Sequence, residues 1–387
     1  MKLNKEIKIL SLSFLFIFLG FSGVQQYITT FFSESGIVEV GFISLILIYL
    51  FITLSEPFSA FFVSKYGTKK SMIIGSFLYF IFIASLLSES PYFIYITSAL
   101  LGFGASLLWM GQGSFLIRTS DEKSYGKNSG FFDSLQFLGS VIGIIILGFF
   151  IEKFLFKSSF FIFSLFPLIG LFLIIGLKDF KTEEKINRFK FIRKSISNIT
   201  LLKLSSFYFS IQFIFGLVIG IIPIQIKNVL GVSYVGILSS LFFIVPVLFS
   251  YFLGKLSDIK GRKKMIILSY IFIIISLIFL YFSASPIFLL SGIILIAFNS
   301  AILRPTSFAL IGDITTKKNL EFVMALFWIF QNLGIVSALF ISKIFIVETK
   351  IIYLLSILVT VISLLILIPL LRLKLEKIKE KLSNEIF

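Results

Sequence analysis

The sequence contains neither cysteine nor histidine, and only 14% of its 387 residues are charged. Without these two residue types the chain has no disulfide, no thiolate or imidazole metal ligand, no Cys or Ser-His nucleophile system and no histidine proton relay. It also lacks a Walker sequence, in which a glycine-rich loop ends in Lys followed by Ser or Thr. These absences argue against an enzyme, a metal site, a cofactor and ATP as the energy source.

Apolar residues are what the chain has in excess: 58% of it is hydrophobic and the mean hydropathy is +1.06. Soluble domains do not carry this balance. A helix needs about 20 apolar residues to cross a bilayer, and the alternating pattern of an outer-membrane barrel is absent. The sequence therefore predicts an all-α integral membrane protein with twelve transmembrane helices in two pseudo-symmetric six-helix bundles. The cores of these spans are 9–32, 41–63, 71–88, 92–117, 129–151, 158–177, 204–226, 233–254, 265–283, 286–311, 322–346 and 351–371.

The net charge is +16, but the charged residues lie between the apolar runs and form no continuous surface. We therefore expect no nucleic-acid partner. Of the 35 Lys and Arg residues, 29 lie in the termini and the even-numbered loops. By the positive-inside rule we expect a multi-pass protein of the cell membrane with both termini in the cytoplasm. The basic, apolar start resembles a signal peptide, but the apolar pattern continues to Phe32, which favours an uncleaved first span over a cleaved signal.

A long polar stretch divides the twelve spans into six and six. The predicted domains are an N-terminal bundle over 1–177, a cytoplasmic linker over 178–203, a C-terminal bundle over 204–372 and a cytoplasmic tail over 373–387. Two sequence echoes relate the halves: the loop around Gly67 matches that around Gly261, and Gln136–Gly139 matches Gln331–Gly334. Echoes at nearly the same offset indicate duplicated halves.

The second of these loops carries a specific signature, G-x-x-x-D-x-x-G-R-K/R-K, in Gly254, Asp258, Gly261, Arg262 and Lys263. In this the chain resembles the major facilitator superfamily. The resemblance implies a transporter fold whose signature loop helps to hold the cytoplasmic side closed, with Asp258 and Arg262 in that role. The alternative is a charged turn that only obeys the positive-inside rule.

The first half departs from the signature, since it keeps Gly67 and Lys69 but has Ser64 at the acidic position and Thr68 at the Arg position. Together with segments 41–80 and 102–122, this loop resembles the Unc-ninety-three-like branch of the superfamily. That branch implies the transporter architecture without a substrate, because some animal relatives are better known as channel partners or receptor-trafficking factors.

Apart from Lys343 at the end of span 11, three charged residues lie within predicted spans, all in the cytoplasmic half: Glu56, Asp133 and Arg304. Each costs roughly 2.5–3.5 kcal/mol at a helix centre, so we expect them to be paired or hydrated. Asp133 and Arg304 are interpreted either as an ion pair that gates the cytoplasmic side or senses an anion, or as separate hydrated groups. Glu56 either carries a proton or accompanies a kink at Pro57.

Polar residues on the spans are the candidates for a central cavity. Span 5 places Ser129, Asp133, Gln136 and Ser140 on one face. The resemblance implies that spans 1, 4, 7 and 10 line the cavity, which nominates Gln25, Gln26, Gln112, Asn299 and Arg304, with Trp109 beside them. Interhelical hydrogen bonds that serve packing are the alternative for each Gln. An Arg favours an anion or zwitterion, whereas the amides favour a neutral polar solute.

The leading hypothesis is a secondary transporter of a small solute that works by alternating access, with protons as the default coupling ion, and a monomer suffices for this mechanism. The competing hypothesis is a non-transporting membrane partner that regulates a channel or escorts another protein.

Overall fold

The protein is helical throughout the part of the chain that its computed structural model describes, which is residues 4–34, 37–88, 90–181, 197–231, 233–316, 318–345 and 348–372, with 380 and 382. Twelve α-helices and two 3-10 helices are present in these ranges. They are α1 (Lys5–Glu34), α2 (Val38–Tyr66), α3 (Thr68–Ser85), α4 (Pro91–Thr119), α5 (Tyr125–Ile175), α6 (Ile199–Ile219), α7 (Ile221–Leu230), α8 (Ser233–Lys260), α9 (Arg262–Tyr281), α10 (Pro286–Ile314), α11 (Leu320–Ile344) and α12 (Thr349–Leu371).

Among the described residues, 11 helical stretches are long and apolar enough to cross a membrane. The predicted twelve spans reduce to 11 because spans 5 and 6 are both contained in α5, whose 51 residues break at Leu155, where φ is 63°. Helices α6 and α7 together make the seventh span. The all-α membrane fold predicted from hydropathy is confirmed, and the count of twelve agrees once α5 is divided at Leu155.

The chain forms two compact units, of which the first contains residues 1–120 and 134–185. In this unit α4 packs against α2 and α3. Helix α1 lies close to α5, since a Cβ at Gly139 or Gly143 would overlap the carbonyl oxygens of Leu15 and Leu19. Small residues permit such approach where lipid offers no hydrophobic driving force.

The second unit contains residues 121–133 and 186–387, so the first turns of α5 pack here while the rest of that helix belongs to the first unit. Helix α6 packs against α11, and α10 packs against α8 and α9. Tyr208 stacks on Phe327 with ring centroids 4.2 Å apart, at the centre of the α6–α11 contact.

The predicted bundle, linker and tail boundaries stay predictions. Residues 182–196, the greater part of the predicted linker 178–203, lie outside the described residues. Of the predicted tail 373–387, the structure describes Glu380 and Leu382 alone.

Candidate functional site

Asp133 and Arg304 come together in the second unit. Asp133 is fully buried near the start of α5, and the Nε of Arg304 on α10 lies 3.6 Å from its Oδ1. That distance is beyond a hydrogen bond, and neither carboxylate oxygen of Asp133 has a hydrogen-bond partner in the described residues. Arg304 is 26% exposed, so the acid is the buried member of the pair. The pair thus has unused hydrogen-bonding capacity on its acidic side.

The signature loop holds the start of α5. Asp258, near the end of α8, accepts hydrogen bonds from the backbone N–H groups of Gly126 (2.9 Å) and Lys127 (2.7 Å). These N–H groups belong to the first turn of α5, where no helical carbonyl is available and the helix dipole favours a negative charge. A Cβ at Gly254 would overlap the Gly126 carbonyl, so the two backbones meet directly. The loop therefore fixes residues 121–133 within the second unit.

Arg262 ties the same loop to the end of α10. Its Nη1 lies 2.5 Å from Asp258 and donates to the hydroxyl of Ser257 at 2.7 Å, while its Nε donates to Asp313 at 2.8 Å. Gly261, which precedes it, has φ of 91°, a value that favours glycine. Lys263 follows in the first turn of α9. One guanidinium thus joins two carboxylates that come from different helices.

The first-half loop obtains its carboxylate from a distant part of the chain. Gly67 turns the backbone with φ of 105° between α2 and α3. The N–H of Lys69 donates to Asp179 at 3.0 Å, and a Cβ at Gly67 would overlap that carboxylate. Asp179 thereby supplies at α3 the negative charge that Ser64 cannot supply.

Asp179 lies in residues 178–180, which we call the strap. Besides the contact to Lys69, the strap exchanges two hydrogen bonds with Thr68: its N–H donates to the carbonyl of Phe180 at 3.0 Å, and its Oγ1 accepts from the Phe180 N–H at 3.3 Å. The Phe180 ring packs against that of Phe115 with centroids 5.4 Å apart. The strap is thus joined to both α3 and α4.

Glu56 is a second buried acid, placed on α2 of the first unit and 2% exposed. Ser106 on α4 is a hydrogen-bonding neighbour of its carboxyl group. The Oε2 atom has no hydrogen-bond partner in the described residues. Pro57 follows inside the helix.

The predicted cavity residues of the first unit have different surroundings. Gln25 donates to the hydroxyl of Tyr49 at 3.1 Å, and Gln26 is exposed. Trp109 packs between the rings of Phe14 and Phe18, at centroid distances of 5.5 and 5.2 Å. The structure therefore gives Trp109 an aromatic environment within the unit.

Two amides of the first unit are buried with open hydrogen-bonding capacity. Gln112 is 0% exposed, and neither its Nε2 nor its Oε1 has a hydrogen-bond partner among the described residues. Gln136 donates to Ser140 at 3.2 Å, while its Oε1 has no partner there. Ser140 in turn accepts from Ser22 of α1 at 2.9 Å, so the polar face predicted on span 5 reaches the first span.

Asn299 of the second unit lines a small cavity with Ser210, Tyr270 and Thr360. The cavity measures about 10 Å³, room for about one water molecule. The Asn299 Oδ1 is buried without a hydrogen-bond partner in the described chain. Asn299 and Arg304 lie five residues apart on α10 and have different neighbours.

Sequence reasoning missed Asp179 and Asp313. Each lies just beyond an apolar span, where an acidic residue is ordinary, and their partners are more than 50 residues away. Among the described residues, no three His, Cys, Asp or Glu side chains gather as a possible metal site.

The fold is that of the major facilitator transporters. The human organic anion transporter MFSD10 (TETRAN) matches with a TM-score of 0.78 over 94% of this chain and 98% of its own, at 11% identity. A bacterial homologue of the iron transporter ferroportin, in an outward-facing state, matches with 0.77 over 95% and 99%, at 13% identity. At these identities the likeness establishes the fold alone, and it confirms the predicted fold.

The particular family follows from sequence. The family model described as "Major Facilitator Superfamily" matches residues 204–385, and the one described as "Ion channel regulatory protein UNC-93" matches residues 37–284, well over half of the chain. The chain therefore belongs to the UNC-93 family.

Individual relatives match over a shorter segment. UNC93-like protein 3 of Arabidopsis thaliana is 31% identical over 141 residues, which cover 36% of this chain and 28% of that protein. UNC93-like protein MFSD11 of Xenopus tropicalis is 30% identical over 141 residues, or 36% and 32%. The match thus spans about a third or less of each relative.

Proposed function

We propose that this protein is a secondary active transporter that moves a small solute across the cell membrane by alternating access. The observation that carries the proposal is the Asp133–Arg304 pair, a buried acid 3.6 Å from a partly exposed base within spans that carry no other charge. Charges in such spans are costly and characteristically belong to substrate or ion pathways. The two carboxylate oxygens of Asp133 have no hydrogen-bond partner among the described residues, so a polar solute or an ion can bind to them.

The conformational part of the proposal rests on residues 121–133. This segment packs in the second unit through Asp258 and Asp133, although it is continuous with a helix of the first unit. We assign these contacts the role of a cytoplasmic latch that opens and closes during transport. An ion gradient drives the cycle, with protons the default and either Asp133 or Glu56, both buried carboxylates, as the carrier.

The same proposal covers the orientation, the oligomeric state and the partners of the protein. Both termini face the cytoplasm, because the basic residues concentrate in the termini and even-numbered loops. The transporter acts as a monomer, without enzymatic activity, a cofactor or a nucleic-acid partner.

The test is a thermal-stability screen of the purified protein against small anions, zwitterions and neutral polar solutes, followed by uptake of each stabilising solute into proteoliposomes. Saturable binding raises stability by mass action, by about 2.7 kcal/mol when the ligand is at 100 times its Kd. The matched control is the double variant Asp133→Asn/Arg304→Gln, which removes both charges together. We expect a solute class that stabilises and enters with the parent but not with the double variant.

A well-folded parent that neither binds nor accumulates any solute would contradict the transporter proposal. The second candidate function, a regulator or escort of another membrane protein, draws support from the description of the matching family as an ion channel regulatory protein. It predicts a stable partner in mild-detergent purification, retained by the double variant. Transport predicts instead that solute binding and uptake require the Asp133–Arg304 pair and are lost in the double variant.

A further inference from the structure

Glu56 differs from Asp133 and Asp313 because no described residue near it balances its charge. It is 2% exposed, and within the described residues it takes part in no ion pair. Asp133 by contrast has Arg304, and Asp313 has Arg262. A buried carboxylate without a counter-charge is strongly unfavourable, so Glu56 must be neutralised by something that the described residues do not supply.

Oxygen atoms surround this carboxylate. Ser59 lies one turn after Glu56 on the same face of α2, and Ser106 of α4 donates to the Ser59 hydroxyl at 2.8 Å. Both serines are 0% exposed. Ser106 is also the hydrogen-bonding neighbour of Glu56. Three side chains from two helices of the first unit therefore place their oxygens together.

Pro57 adds a backbone oxygen to the same turn. Proline has no N–H, so the carbonyl of Thr53, four residues earlier in α2, loses the helical partner that it would otherwise have. Thr53 precedes Glu56 by three residues and lies on the same side of the helix. Interrupted helices of membrane transporters use carbonyls freed in this way to coordinate cations.

The identity of the missing group follows from these oxygens. A proton would neutralise the charge but occupies a single oxygen, whereas Oε2 has no hydrogen-bond partner among the described residues and the hydroxyls of Ser59 and Ser106 retain lone pairs that can bind a cation. A hard cation satisfies several oxygens at once. One carboxylate balances one positive charge, and a divalent ion would leave a net charge in the membrane interior. We propose that Glu56, Ser59 and Ser106, with the Thr53 carbonyl, form a sodium-ion site in the first unit.

The proposal goes beyond the proposed function, and its test does not depend on that function because it uses the purified full-length protein without any solute. Equilibrium binding of radiolabelled sodium in choline buffer is expected to saturate at one ion per chain. Sodium is expected to raise the thermal-unfolding temperature in the same concentration range, whereas equal concentrations of choline chloride leave it unchanged.

Three variants assign the ion to its site. Glu56→Gln keeps the side-chain volume and is expected to abolish saturable binding, while Ser106→Ala and Ser59→Ala weaken it by about 10- to 100-fold. Glu152→Gln, the same chemical change at an exposed position of α5, is the matched control and keeps the parent affinity. If Glu56→Gln does not fold, the two serine variants decide.

Two results would overturn the sodium site. One is a parent that shows no saturable sodium binding and whose stability follows pH instead, which would assign a proton to Glu56. The other is saturable binding that Ser59→Ala and Ser106→Ala leave at the parent affinity, which would place the ion elsewhere.

Discussion

At the scale of single residues, the two members of the Asp133–Arg304 pair differ in what their loss leaves behind. Arg304→Gln leaves a fully buried carboxylate without its counter-charge, which costs about 3–5 kcal/mol. Asp133→Asn leaves an arginine that is 26% exposed and whose long side chain reaches water, so its cost is smaller. We expect apparent unfolding temperatures, measured in detergent, in the order parent, Asp133→Asn, Arg304→Gln.

The double variant is the control for this asymmetry. Asp133→Asn/Arg304→Gln carries no buried charge, so we expect it to be more stable than Arg304→Gln alone. A double variant whose loss equals the sum of the two single losses would show that the residues are not energetically coupled.

At the scale of helices, the two signature loops offer a matched pair of glycines. Gly67 and Gly261 both have positive φ, of 105° and 91°, so alanine strains the backbone by about 1–3 kcal/mol at either position. A Cβ at Gly261 meets no atom within 4 Å, whereas one at Gly67 would displace Asp179 from the N–H of Lys69. Thermal unfolding should therefore show Gly67→Ala to be the more damaging, by about the 1 kcal/mol of a lost helix cap.

Asp179→Ala checks the cause of that difference, because it removes the carboxylate that a Cβ at Gly67 would displace. If the extra loss comes from the strap, Gly67→Ala adds less to Asp179→Ala than it does to the parent. Equal damage from Gly67→Ala and Gly261→Ala would mean that the contact between Asp179 and α3 contributes nothing to stability.

Sequence predicts helices of this kind well, since each span must be apolar along its whole length and charges mark its ends. The charged residues inside spans stand out for the same reason, which is why Glu56, Asp133 and Arg304 were found. Spans 5 and 6 were predicted as separate helices, and the structure separates them at Leu155, although the break carries neither Gly nor Pro. The strap escaped prediction because Asp179 meets α3 across 110 residues, a contact that one sequence cannot reveal.

At the scale of the whole molecule, the two signature loops differ in where the carboxylate at a helix start comes from. In each half, a negative charge lies at the start of a helix. That helix either follows the signature loop, as α3 does, or lies beside it, as α5 does. The second half takes it from Asp258 within the signature, and the first takes it from Asp179 outside it. The strap thus places a carboxylate at the start of α3, as Asp258 does at the start of α5.

Orientation is the remaining property of the whole molecule that sequence predicts strongly, and the absence of cysteine makes it directly measurable. The even-numbered loops and termini hold 29 of the 35 basic residues, which places residues 120–124 in the cytoplasm and residues 152–157 outside. Glu122 and Glu152 are both exposed, and acidic residues contribute little to the positive-inside rule, so replacing either one leaves the orientation unchanged. In intact cells, a membrane-impermeant maleimide should label Glu152→Cys at once and Glu122→Cys only after permeabilisation. The reverse labelling pattern would mean that the protein has the opposite orientation in the membrane. The signature loops, with Asp258 and Asp179, would then lie on the outer face.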